Sequence, residues 1–145
     1  MRFLILALIV FSSVAAIDLT YESDIRCPIS DHWCFILAYY EDGWLFDEFL
    51  GRTNIICSKT TRAAVSFQID LREPEIDGWY DPYAYFKHNC SMHDDTLHWY
   101  TMPLPSIPTD LDEDYSNFQV IYLNDQGQRD ESQKFHVNPE DVTWA

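Results

Sequence analysis

Positive charge is scarce in this chain. Nine Lys and Arg stand against 24 Asp and Glu, a formal net charge of −15 over 145 residues. So acidic a surface repels nucleic-acid backbones and anionic lipid at moderate salt, so neither is an unaided partner, and contact with lipid would need a cation such as calcium in between. Catalytic signatures are missing as well: there is no Gly-x-Ser-x-Gly and no His-Glu-x-x-His, hence no nucleophile or acid–base pair in a recognisable setting. The cysteines do not form the Cys-x-x-Cys pairs of a zinc site. No long helical period, internal repeat or low-complexity tract is present, glycine hardly enters the strand-like runs, and no apolar run reaches the roughly 20 residues that span a bilayer.

What is present begins with Met1–Ala16: one positive charge, an apolar run from Phe3 to Phe11, and small residues at Val14 and Ala16. That order reads as a secretory signal peptide, which leaves a mature chain from about Ile17. Residues 17–124 are expected to form one domain, and 125–145 a polar C-terminal tail lying outside the core. Cys27, Cys34, Cys57 and Cys90 would then enter an oxidising compartment and form two disulfides, for which three connectivities exist.

The strand signals are dense. Trp33–Tyr40 is a run of strand formers closed by Glu41-Asp42-Gly43, and Gly51–Thr60 reads as another strand. Val65, Phe67, Ile69 and Leu71 alternate with Ser66, Gln68 and Asp70, which gives one core face and one wet face. Asp81–Cys90 carries large residues on both parities, Tyr83 and Tyr85 against Phe86, so it reads as a central strand covered on both sides. Thr96–Met102 and Asn117–Leu123 are further strands. Ile17–Ile25 is expected as an edge strand or arm because of Asp18, Glu22 and Asp24, and Trp44–Leu50 as a loop with a turn of helix. Short strands between turn signals predict an all-β antiparallel sandwich, with an up-and-down barrel as the alternative.

Ala38-Tyr-Tyr-Glu-Asp42, Asp47-Glu-Phe-Leu-Gly51, Val65-Ser-Phe-Gln-Ile69, Asp81-Pro-Tyr83, His88-Asn-Cys90 and Ile107-Pro108, in that order, resemble the nematode transthyretin-like family. The likeness runs from about residue 25 to 123. It implies a secreted transthyretin-like β-sandwich with an extracellular interaction role and no catalysis. The expected pairing is Cys34 with Cys57 and Cys27 with Cys90. A hydrolase among transthyretin's relatives ends in Tyr-Arg-Gly-Ser, whereas this chain ends Val142-Thr-Trp-Ala145.

His88, His93 and His98, with Asp94 and Asp95 between the last two, offer zinc or copper donors. Their five-residue spacing alternates face on a strand, so His88 as a hydrogen-bonded residue at the core edge is the preferred reading. Asp110, Asp112, Glu113 and Asp114 could hold calcium, yet lack the glycine-centred loop of an EF-hand, so a solvated acidic loop is preferred. No cofactor is expected. The leading functional expectation is a secreted adaptor that binds an extracellular or cell-surface protein through Trp44, Trp79 and Tyr80. A carrier of a small apolar ligand at a dimer interface comes second and a hydrolase third.

Asn89-Cys-Ser91 is an N-glycosylation acceptor sequence. A glycan on Asn89 should give a mobility shift when secreted material is treated with a deglycosylase; an unchanged band removes the modification.

Overall fold

The computed structural model describes residues 17–71, 78–92, 96–111 and 113–145, apart from the side chains of 131 and 132. The leader, Met1–Ala16, and most of the turn that follows Leu71 lie outside the described residues. In chain order the strands are β1 (Ile17–Arg26), β2 (Trp33–Glu41), β3 (Glu48–Arg52), β4 (Ile55–Ser58), β5 (Arg62–Leu71), β6 (Trp79–Tyr80), β7 (Pro82–His88), β8 (Thr96–Pro103), β9 (Ile107–Pro108), β10 (Tyr115–Tyr122), β11 (Gln128–Lys134) and β12 (Val142–Trp144). The described residues hold no α-helix; Pro139–Asp141 makes one 3-10 turn.

Two sheets face each other. The first is three-stranded, ordered β10-β1-β5, and the second runs β11-β8-β7-β2-β4-β12 with β3 also on β2. Two pairings are parallel, β1 with β10 and β4 with β12, so the expected antiparallel arrangement gives way to mixed sheets. The cause is in the path: β8 delivers the chain to the end where β1 starts, and the proline-broken connection through β9 keeps it there, so β10 enters alongside β1. Tyr21 of β1, Tyr39 of β2 and Phe67 of β5 stack across the interior at centroid distances of 5.1 and 5.0 Å. Leu19, Ile25, Phe35, Leu37 and Phe86 complete a fully buried core around them, each side chain contributing about 2 kcal/mol by leaving water.

Strand β5 alternates as its sequence requires, with Ile69 and Leu71 buried and Ser66, Gln68 and Asp70 exposed. Strand β1 is the middle of its sheet rather than an edge or arm. Its acidic residues share one parity, so the pleat sends Asp18, Glu22 and Asp24 outward together while Ile17, Leu19 and Tyr21 face the core. Asp24 is covered by Arg26 and Arg62, which donate to it at 2.7 and 2.9 Å, and the two guanidiniums hold its carboxyl below the usual range. Strand β7 also differs from expectation. Ala84, Phe86 and His88 are buried, but Tyr83 and Tyr85 are half-buried on an outer face with no second layer among the described residues. There the tyrosines cover one another: Tyr40 stacks on Tyr83 at 5.4 Å and meets Tyr85 edge-on at 6.4 Å. Residues 48–52 form β3 in place of a helical turn, because Glu48 and Phe49 pair with Glu41 and Tyr40 of β2 and, past a bulge at Leu50, Gly51 and Arg52 pair with Tyr39 and Ala38. The tail has no fully buried side chain among its described residues, yet it supplies β11 and β12, one at each end of the second sheet.

Cys27 is bonded to Cys90 and Cys34 to Cys57. The first bond ties the end of β1 to the end of β7 and so links the two sheets; the second joins opposed positions on β2 and β4. With its partners 63 positions apart, Cys27–Cys90 should stabilise the fold by about 4 kcal/mol in the chain-entropy model, and Cys34–Cys57 by about 3 kcal/mol. Urea denaturation of the Cys27→Ala/Cys90→Ala and Cys34→Ala/Cys57→Ala variants should show losses of these sizes in that order. Equal losses would mean that loop length does not set the difference.

Candidate binding surface

The disulfides gather at one end of the sandwich. Strand β2 leaves that end at Cys34, and β1 and β7 arrive there at Cys27 and Cys90. At the opposite end Glu41 pairs with Pro82 and Tyr83 with Pro103, so the β2–β3 loop, β6 and the β8–β9 connection emerge together. One end is cross-linked, and the other presents loops.

The β2–β3 loop is fixed at its root. Asp42 N–H donates to Asp81 O at 3.1 Å, Tyr83 OH donates to Asp47 Oδ2 at 2.7 Å, and Tyr40 meets Phe49 edge-on at 5.5 Å. Between these anchors the tip carries Trp44-Leu45-Phe46, with Trp44 93% and Phe46 85% exposed. Three consecutive apolar side chains in water contribute nothing to the core. Asp42, Asp47 and Glu48 flank them and are exposed, which makes an apolar tip with an acidic rim.

Of the anticipated anchors, Trp44 and Trp79 are exposed and Tyr80 is not. The period-2 pleat that turns Trp79 outward sends Tyr80 into the core, where it pairs with Ile107 on β9. Tyr80 is therefore a packing residue. Sequence reading passed over Leu45, Phe46 and Phe49, which are exposed as well; their signal was a tryptophan-led apolar run placed directly after an acidic turn. Beside the loop, on the outer face of the second sheet, Tyr40, Phe49 and Tyr85 line a shallow concavity of about 400 Å³ with Arg52 and Lys87.

His88 and His98 oppose each other on β7 and β8, with stacked rings 5.3 Å apart and both side chains buried. Residue 93 lies midway between them in sequence, so the hairpin itself brings this pair together. His88 Nδ1 accepts the Cys90 N–H at 3.2 Å. Burial, followed by His98, pushes the His88 imidazole down to about 4. His93, Asp94, Asp95 and Asp112 lie outside the described residues; Asp110, Glu113 and Asp114 are exposed. No group of three or more His, Cys, Asp or Glu among the described residues is placed to hold a metal. Asn89 sits at the cross-linked end, half-buried, its Oδ1 accepting the Cys34 N–H at 2.7 Å, and Cys90 beside it is buried in its disulfide. No helix among the described residues is long and apolar enough to cross a membrane.

A family model described as "Caenorhabditis elegans protein of unknown function (DUF870)" matches residues 22–135. No curated protein and no solved structure matches the chain.

His88 makes an acid limb in stability. His88 is held neutral in the fold below its unfolded value of about 6.5. Its contribution is therefore complete above pH 6.5 and lost as pH falls toward 4, on the order of 3 kcal/mol in all. Asp24, whose folded value is depressed, gives up its contribution only at lower pH. Denaturant midpoints between pH 7 and 4 should fall for the parent chain and flatten for His88→Gln. A parent midpoint constant over that range would remove the account.

Proposed function

Since the chain belongs to this family, described only as a Caenorhabditis elegans protein of unknown function, we propose from its residues that it is a secreted, non-catalytic binding protein that grips an extracellular or cell-surface protein with the Trp44–Phe46 tip. The observation that carries this reading is the exposure of that tip on a loop whose root is pinned on both sides. Large apolar side chains held out at low entropic cost are what interface hot spots consist of. The rim of Asp42, Asp47 and Glu48 fits a pocket lined by apolar groups and bordered by Lys or Arg, and Trp79 at the same end extends the contact. Anionic lipid is disfavoured by that rim unless calcium bridges it.

Secretion rests on the Met1–Ala16 leader, and disulfides form and persist in oxidising compartments. The transthyretin-like grouping and a glycan on Asn89 belong to the same proposal. Support for the grouping is the Asp81-Pro-Tyr83 to His88-x-Cys90 strand within an all-β fold of two facing sheets and a small β6-β9 ribbon. The carrier reading draws on the aromatic concavity beside the loop, whose size suits a small ligand. Native mass spectrometry of tissue-purified protein tests it, and bare protein alone would count against it.

The adaptor reading is tested by presenting oxidised protein to living cell surfaces of its own source, cross-linking, and identifying captured proteins with and without calcium. Trp44→Ser/Phe46→Ser should reduce capture of an enriched receptor by about thirtyfold, the equivalent of a 2 kcal/mol hot spot. Its thermal midpoint should stay unchanged because neither ring touches the core. Capture indifferent to the substitutions, or no capture in either condition, defeats the reading; calcium-dependent capture on lipid alone replaces the protein partner with a membrane.

A further inference from the structure

Strand β10 is built inside out. In β1, β5 and β7 the apolar parity faces the core. In Tyr115-Ser-Asn-Phe-Gln-Val-Ile-Tyr122 the inward parity is Tyr115, Asn117, Gln119 and Ile121, while Phe118, Val120 and Tyr122 point out with 65, 45 and 50% of their surfaces exposed. The inward amides satisfy each other: Gln119 Nε2 donates to Asn117 Oδ1 at 2.8 Å and Asn117 Nδ2 to Tyr115 OH at 3.3 Å. A one-residue slip would have buried the apolar set. The observed register places it on the outer face instead, beside β1.

This strand is also an open edge. The first sheet is ordered β10-β1-β5, so alternate backbone N–H and C=O groups of β10 point away from β1 toward no strand among the described residues. The edge at the other side of that sheet is guarded: β5 turns Arg62, Ser66, Gln68 and Asp70 outward. Strand β10 has no charge, no proline and no glycine in a chain of net charge −15, and so none of the usual protections against pairing.

We propose that the β10 edges of two copies of this chain pair antiparallel about a twofold axis, joining two three-stranded sheets into one continuous sheet. A strand is the partner that satisfies a row of free backbone groups. Charge identifies which strand. A basic partner would find no carboxylate on β10 to pair with, whereas a second copy meets an uncharged surface on an otherwise self-repelling molecule. The nearest acid on β1 is Glu22, beside Phe118; Asp24, beside Val120, is already held by Arg26 and Arg62, and Arg26 lies 5.4 Å from the Tyr122 ring centroid. Pairing centred on Val120 sets Phe118 of each copy opposite Tyr122 of the other, which makes an aromatic cross-strand pair on either side of the axis.

Sedimentation of the oxidised chain across concentration and salt tests this. A dimer should form and tighten as salt screens the like charge of the two copies. Val120→Lys, which sets two ammonium groups at the axis, should weaken it at least about tenfold with no change in the thermal midpoint of the dilute, monomeric chain. Gln68→Lys on the guarded edge should leave it as it was. In the unsubstituted chain, amide exchange should slow with rising concentration within residues 115–122, a readout that does not depend on any variant folding. Monomer at every concentration and salt, a dimer that salt loosens, or a dimer indifferent to Val120→Lys overturns the proposal.

Discussion

Tyr39 is the point on which both faces of the second sheet depend. Held between Tyr21 and Phe67 of the opposing sheet, it fixes the spacing of the layers and the rotation of β2 about its own axis. Once it faces inward, the pleat leaves its neighbour no choice, and Tyr40 must stand on the outer surface. There it gathers Phe49, Tyr83 and Tyr85, and those contacts hold the root of the loop that carries Trp44. An interior stack and an exposed apolar tip are thus two results of one alternation. The phenol of Tyr39 is pushed up to about 12 by its burial, so it stays neutral across the physiological range and adds no charge to the core.

The two ends of the sandwich divide labour through chain entropy. Cross-links at Cys27–Cys90 and Cys34–Cys57 restrict the unfolded chain and close the end where His88, His98 and Asn89 sit. The other end is then left to loops held by hydrogen bonds at their roots. Such loops can carry side chains chosen for contact with something else, because the fold does not depend on them.

Much of the fold was legible where a single periodicity governs. The alternation of β5 gave its faces directly, the dense run of β2 marked it as a strand, and Trp79 against Tyr80 follows the same alternation once β6 is known to be a strand. Legibility failed where a distant residue changes the meaning of a local one. Asp24 made β1 look like an edge because its partner Arg62 lies on another strand, as does Tyr122, which bonds Arg26. The tyrosines of β7 looked as though they needed a covering layer, when Tyr40 from β2 shelters them in the same plane. His88 and His98 are ten positions apart and meet through hairpin register, which no spacing rule for one strand could show. Motif order suggested a transthyretin-like chain, whereas the family model that matches residues 22–135 is that of a Caenorhabditis elegans protein of unknown function; neither names a partner.

The tail ties the two margins of the second sheet together. Strand β12 lies parallel to β4 and β11 antiparallel to β8, so the link between them, residues 135–141, runs from one margin of that sheet to the other. Pulling one margin away therefore loads the other through a short stretch of chain, and the strands between them are strapped as well as hydrogen-bonded.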